Sequence, residues 1–296
     1  MKVGITCTGR QYKGQQDFPF PYLIKGLEAQ GHEVQICNPV PYPTFTDIEA
    51  LFAWNWGRNP AWVKMVSDHR ERGIAVFTME RGWLDRYQYT QIDHKGFNHT
   101  ASWAPHVSQT APTDGPERYR MLCERLSPRI GVKRRLKGYI LLLGQTGGDT
   151  QMRHSEIHHP EALCESVVAN LPAGLEVVFR PHPQSKYRPS IIPTIGGSLE
   201  DALAGAQYAL TINSNAGNDA LWNGCPVMCF GPALYEIAGA ARRTTISTLM
   251  HDLEFMARWE PDEKRVTSYF HWLASRQWNR DELEQGSCLE QLLGEI

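Results

Sequence analysis

Residues Tyr139-Ile140-Leu141-Leu142-Leu143, halted by Gly144, decide how this chain is read. Five consecutive apolar residues bounded by a turn residue are the pattern of a strand buried on both faces, and such strands belong to parallel sheets covered by helices on each side. The alternation continues downstream, with helices over 161–170, 199–204 and 216–223 and strands over 175–180, 208–212 and 226–230. Upstream a second series opens with a strand over 3–7, a helix over 22–30 closed by Gly31, and a strand over 32–37. Helices over 47–52 and 61–72 follow, then a strand over 74–79 that ends at Glu80. Short strands alternating with helices define an α/β architecture of doubly wound sheets.

A length of 296 residues suits two such lobes better than one. The expected division is an N-terminal lobe over 1–132, a C-terminal lobe over 138–266, and a helical, aromatic tail over 267–296 that packs across both. Between the lobes, Lys133-Arg134-Arg135-Leu136-Lys137 reads as a solvated basic linker rather than an anion site. A net charge of -2 leaves no nucleic-acid footprint in the composition. No apolar run approaches the ~20 residues that a membrane-spanning helix requires, so no stable membrane insertion and a cytoplasmic location are expected. Seven scattered cysteines with no CxxC pair exclude a disulfide scaffold or a zinc ribbon. The spacing of Gly4, Gly9 and Gly14 is not the GxGxxG of a dinucleotide site.

Reactive groups gather just after the strands. Glu80 ends one strand, and Gly82, Arg86, Gly96 and Asn98 follow it. After 139–143 comes Gln145, then Asp149 and Gln151 on a loop that Gly147 and Gly148 allow to turn tightly. Arg180-Pro181-His182-Pro183 holds an imidazole between two prolines at a strand end, fixing its direction for a phosphate, beside a permanent guanidinium charge. Finally Asn213-Ser214-Asn215-Ala216-Gly217-Asn218-Asp219 runs from a strand into a helix. That segment reads equally as an ordinary capped helix or as a phosphate-binding helix start with side-chain donors at Ser214 and Asn215. Asp149 reads as a turn aspartate or as a cleft carboxylate, and Glu80 as a strand-end charge neutralised by Arg81 or as a second one. Two carboxylates facing one crevice would serve as nucleophile and acid/base in glycosyl transfer. His154 and His158 have i,i+4 spacing, but Pro160 follows at once, and they read as surface residues rather than metal ligands.

In these segments the chain resembles the capsular polysaccharide synthesis family, which includes retaining β-Kdo transferases. The resemblance rests on Glu80, Gly82, Arg86, Gly96 and Asn98, then Gln145, Asp149 and Gln151, then Arg180-Pro181-His182-Pro183. It continues through Asn213, Ser214, Gly217, Asp219, Gly224 and Pro226 to Gly231, Tyr235 and Gly239. Asp219 stands where such proteins often carry Glu, and the region around Trp54, Trp56 and Trp62 lies outside the resemblance.

The resemblance implies a GT-B-like pair of Rossmann-like lobes with the active site in the cleft between them. It implies a glycosyltransferase that takes a nucleotide-sugar donor, a CMP-sugar such as CMP-Kdo, to a saccharide acceptor, with no cofactor and no metal. Asp149 is then the nucleophile, Glu80 the acid/base and His182 the holder of the donor phosphate. Gln145, Gln151, Arg180, Asn213, Ser214, Asn215, Gly217 and Asp219 line the donor side, and Arg86 and Asn98 the acceptor side. Two other readings stay open. One is an acceptor that is a hydroxymethylated DNA base. The other is a non-catalytic nucleotide- or glycan-binding protein on the same scaffold.

Overall fold

The computed structural model describes residues 1–13, 17–39, 41–42, 45–131 and 138–295. Gly14 and the basic stretch 133–137 lie outside the described residues. The chain divides into two compact units, one of Met1–Ser102 with Ser275–Ile296 and the other of Trp103–Ala274.

Unit 1 runs β1 (Lys2–Thr6), α1 (Gly9–Tyr12), α2 (Phe20–Ala29), β2 (Glu33–Cys37), β3 (Ala50–Trp54), α3 (Pro60–Glu71), β4 (Ala75–Arg81) and β5 (Tyr89–Asp93). Unit 2 carries α4 (Gly115–Leu126), β6 (Tyr139–Leu143), α5 (Pro160–Ala169), β7 (Glu176–Arg180), α6 (Leu199–Gly205), β8 (Ala206–Thr211) and α7 (Ala216–Trp222). It continues with β9 (Val227–Cys229), α8 (Leu234–Ile237), β10 (Arg242–Arg243), α9 (Leu249–Met256) and α10 (Glu263–Ser275). The chain then returns to unit 1 as β11 (Gln277–Asn279), α11 (Arg280–Gln285) and α12 (Leu289–Gly294).

The sheet of unit 2 has the order β10-β9-β8-β6-β7, all parallel. Counted from its own first strand this is the doubly wound order 2-1-3-4-5, whose direction reverses between β6 and β8. Unit 1 repeats the arrangement as β2-β1-β3-β4, then adds β5 and β11 antiparallel at one edge. The fold is therefore two Rossmann-like α/β units. Alternate residues of the unit 1 strands point to opposite faces. Val3, Ile5, Phe52 and Phe77 pack with Phe20 and Leu23 of α2 and with Trp278, while Leu51, Ala53 and Val76 pack with Trp62, Met65 and Val66 of α3. Burying each large side chain of this kind contributes about 1.5–3 kcal/mol.

Two expectations from the sequence are corrected. Residues 47–52, read as helical, lead into and open strand β3, which is wholly buried between β1 and β4. A short apolar run carries no periodicity that separates a buried strand from a buried helix. The C-terminal stretch, read as entirely helical, contains β11, whose Trp278 pairs with Thr90 of β5 and is fully buried. Its α11 approaches α2 so closely that a Cβ on Gly26 would collide with the Leu283 carbonyl oxygen.

Candidate functional site

The carboxyl ends of β6 and β8, either side of the point where strand order reverses, are fastened together by two amides. Gln145, 3% exposed, accepts from the Asn213 backbone N–H through Oε1 at 2.9 Å and donates from Nε2 to Asn213 Oδ1 at 3.0 Å. Asn213 Nδ2 in turn donates to the carbonyls of Gln151 at 2.8 Å and Pro232 at 3.3 Å. One buried asparagine thus gathers the loops after β6, β8 and β9. Both residues were expected on the donor side; their side chains are committed to this clamp, which shapes the loops that a ligand would meet.

Asp149 belongs to the same network. Its Oδ1 accepts the Gln151 N–H at 3.0 Å, capping the 3₁₀ turn Thr150–His154, and its Oδ2 lies 3.4 Å from Gln145 Nε2. Its own N–H donates to Thr146 O at 3.1 Å, across a loop in which Gly148 takes φ +75°. The half-buried carboxylate is therefore held from both oxygens, and the capping and functional readings coincide on one side chain. Gln151 Oε1 is buried without a hydrogen-bond partner in the structure.

On the neighbouring strand, β7, Leu143 of β6 stands in register with Arg180, so the Arg180-Pro181-His182-Pro183 turn adjoins the loop of Asp149 at the same end of the sheet. His182 Nδ1 accepts the Gln184 N–H at 3.1 Å. An acceptor Nδ1 places the ring proton of a neutral imidazole on Nε2, which makes that atom the donor. Arg180 Nη2 donates to Gly197 O at 2.9 Å.

The fourth segment enters α7. Ser214 Oγ accepts the Ala216 N–H at 3.2 Å, and its backbone N–H donates to Thr211 Oγ1 at 3.3 Å. Asn215 Oδ1 accepts from Asn218 Nδ2 at 3.0 Å, and Asn218 Oδ1 accepts from the Tyr269 hydroxyl at 2.6 Å. Burial pushes the Tyr269 hydroxyl well above its ordinary pKa, so it keeps its proton and donates. Asp219 is half-buried on the first turn of α7. Gly217 has a packing reason: a Cβ there would lie 2.7 Å from Tyr235 Cε1. Tyr235 also donates to Ser214 O at 3.2 Å. Asn218 and Tyr269 were missed from the sequence. Asn218 had a local signal, its i+3 spacing from Asn215, whereas Tyr269 had none.

The remaining expected residues lie in unit 1. Glu80 is half-buried in β4, adjacent to Arg81 and therefore on the opposite face of the strand. Arg86 is exposed on the turn after β4, and Asn98 takes φ +55° in the loop after β5. Two side chains place the loops that carry them. Gln277 of β11 accepts the N–H groups of Trp83 and Leu84 at 2.8 and 3.1 Å. Asp93 accepts those of Lys95, Gly96 and Ser102 at 2.7–3.1 Å. His154 and His158 are exposed, and among the described residues no three His, Cys, Asp or Glu side chains gather as a metal site. No helix among the described residues is long and apolar enough to cross a membrane.

No curated protein sequence matches the chain. Two solved structures of KpsC from Thermosulfurimonas dismutans share its fold. The β-Kdo 2,7 transferase superposes with a TM-score of 0.59 at 16% identity, over 90% of this chain and 88% of that one. The β-Kdo 2,4 transferase does so with a TM-score of 0.59 at 17% identity, over 91% and 89%. A family model matches residues 196–274, from the approach to α6 through α10, and so takes in Asn213 to Asp219 but neither Asp149 nor His182. Through those residues the chain carries the pattern of the capsule polysaccharide biosynthesis proteins, and the resemblance read from its motifs is borne out.

Proposed function

We propose that this chain is a glycosyltransferase that moves a sugar from a nucleotide-activated donor, a CMP-sugar such as CMP-Kdo, to a saccharide hydroxyl with retention of configuration. The observation that carries the reading is the Gln145–Asn213 clamp. It fixes a carboxylate, Asp149, at the carboxyl end of a doubly wound sheet, where the strand order reverses and where ligands of such sheets bind.

In the first step the Asp149 carboxylate attacks the anomeric carbon and the nucleotide departs with the bonding electrons, leaving a glycosyl ester on Asp149. His182 donates from Nε2 to the departing phosphate, and Ser214 and Asn215 contact the phosphate or the ribose. Gln151 offers a buried carbonyl oxygen that would accept a hydroxyl or amino proton of the donor. In the second step Glu80 takes the proton of the acceptor hydroxyl, which displaces Asp149 from the sugar. Nothing in these steps calls for a cofactor or a metal.

Thermal-shift titration with CMP, UDP, GDP and dTDP tests the donor class. CMP alone should raise the melting temperature, because a ligand that binds only the folded state stabilises it by RT ln(1 + L/Kd), where L is the free ligand concentration. Equal shifts with every nucleotide, or none with CMP, would overturn the assignment to CMP-sugars.

A further inference from the structure

Two side chains of the loop between β8 and α7 have an oxygen occupied from within it. Ser214 Oγ accepts the Ala216 N–H at 3.2 Å, and Asn215 Oδ1 accepts from Asn218 Nδ2 at 3.0 Å. A hydroxyl that accepts still has its proton to give, and a carboxamide whose oxygen faces Asn218 turns its NH2 group the other way. Both residues therefore have hydrogens to offer, the polarity that an anionic oxygen requires. The Asn215–Asn218 hydrogen bond alone does not set that polarity, because it forms equally well with both carboxamides reversed. Reversed, Asn215 would donate to Asn218 and turn its carbonyl oxygen the other way, which an anion rejects.

The third member of the chain sets it. Tyr269 of α10 is fully buried, and its hydroxyl donates to Asn218 Oδ1 at 2.6 Å. Burial keeps that hydroxyl protonated. Were Asn218 reversed, the hydroxyl would face an NH2 group, and its own proton would lose its acceptor in the interior, which is expensive. One proton on α10 thus fixes Asn218, and Asn218 fixes Asn215. A second buried tyrosine holds the same loop differently. The Tyr235 hydroxyl donates at 3.2 Å to Ser214 O, which also accepts the Gly217 N–H at 3.0 Å. A backbone carbonyl cannot be reversed in this way, so Tyr235 fixes place whereas Tyr269 fixes direction.

We propose that Tyr269 is a positioning residue for the donor phosphate, its hydroxyl acting through Asn218 to aim the amino group of Asn215 at the anion. The inference rests on the glycosyltransferase reading, in which Asn215 contacts the phosphate or the ribose, and it chooses between the two. A ribose hydroxyl pairs with either end of a carboxamide, so its binding gains little from a fixed direction. A phosphate oxygen only accepts, and it pairs with the NH2 end alone. Fixing the direction before the donor arrives also spares the cost of turning two buried amides during binding.

The test is calorimetric titration of the full chain with CMP and with cytidine, which lacks the phosphate. Tyr269→Phe should weaken CMP by about tenfold, the scale of one hydrogen bond to a charged group, and leave cytidine within about twofold. In an Asn215→Ala background the same change should cost CMP no more than about twofold, because the group it aims is gone. Asn218→Ala breaks the chain one link later and should repeat the pattern, which keeps the test decisive should Tyr269→Phe not fold. A lower melting temperature is expected of either variant. A role in stability alone would add equal losses for CMP and cytidine.

Equal losses, unchanged CMP affinity in both variants, or an undiminished tenfold loss in the Asn215→Ala background would each overturn the proposal while leaving the donor assignment standing. If UDP, GDP or dTDP binds in place of CMP, the donor assignment fails, and the same comparison is made with that nucleotide against its nucleoside. If none of the four binds, both fall.

Discussion

Gln145 and Asn213 exchange two hydrogen bonds, of 2.9 and 3.0 Å, across the carboxyl ends of β6 and β8. Gln145→Leu strands two buried polar groups of Asn213, and Asn213→Leu strands two carbonyls and leaves the Gln145 amide nitrogen only its 3.4 Å contact with Asp149. Each unsatisfied group costs about 1–3 kcal/mol. Denaturant unfolding of both single variants and the double variant should show the double to be less destabilised than the sum, by about 0.5–3 kcal/mol. Strict additivity would mean that the two side chains act separately.

Asp149→Asn keeps an oxygen for the Gln151 N–H and so preserves the 3₁₀ turn, but it removes the anion. Transfer from a CMP-sugar should fall by at least about 10³-fold, with CMP still shifting the melting temperature. Wild-type turnover would exclude Asp149 as the nucleophile.

The hydrogen bond from the Gln184 N–H to His182 Nδ1 sets a graded expectation for this side chain. His182→Ala should reduce kcat/KM by about 10²-fold, the usual cost of one lost donor to developing charge. His182→Gln, whose Nε2 reaches close to the imidazole Nε2, should recover about tenfold of that loss. Kinetics of the two variants side by side decide whether Nε2–H is the group that matters.

Gly217→Ala places a methyl against ring carbons of Tyr235 at 2.7 and 2.8 Å. The expected cost is about 1–3 kcal/mol, read as a lower denaturation midpoint. Adding Tyr235→Phe should not relieve it, because the clash is with the ring rather than the hydroxyl.

Burial lowers the pKa of His271, whose ring meets Tyr119 edge-on at 4.8 Å, below its ordinary value of 6.5. Between that lowered value and about 6.5 the unfolded chain binds more protons than the folded one. Stability from this group is thus complete above about pH 6.5 and is lost as the pH falls through that window. Melting curves from pH 7.5 to 5 should show the decline, and His271→Gln should flatten it.

The strands of unit 2 were legible because each is an apolar run bounded by glycine, proline or polar turns, a local signal. The placement of Asp149, His182 and Asn213 after strand ends was legible for the same reason. Their partnerships were not. Gln145 and Asn213 are separated by 68 residues, and neither residue type carries a mark of its mate. Asn215 is oriented through Asn218 by Tyr269 from a distant helix, a relation set by packing alone. Strand β3 was misread because five buried apolar residues have no period, and β11 because three residues are too few to show one. Gly217 was legible as a site residue in the motif, yet the reason it is glycine is a ring 18 positions away.

The return of the chain to β5 through β11 has a consequence for synthesis. Domains fold as units while the chain emerges from the ribosome. The segment Met1–Ser102 emerges first, but its sheet keeps a bare edge at β5, and Trp278 of its core is still to come. Unit 2 is wholly emerged before that edge can be covered. The part made first is thus completed last, and in a nascent chain halted before residue 275, protease should cut the early segment while sparing the later one.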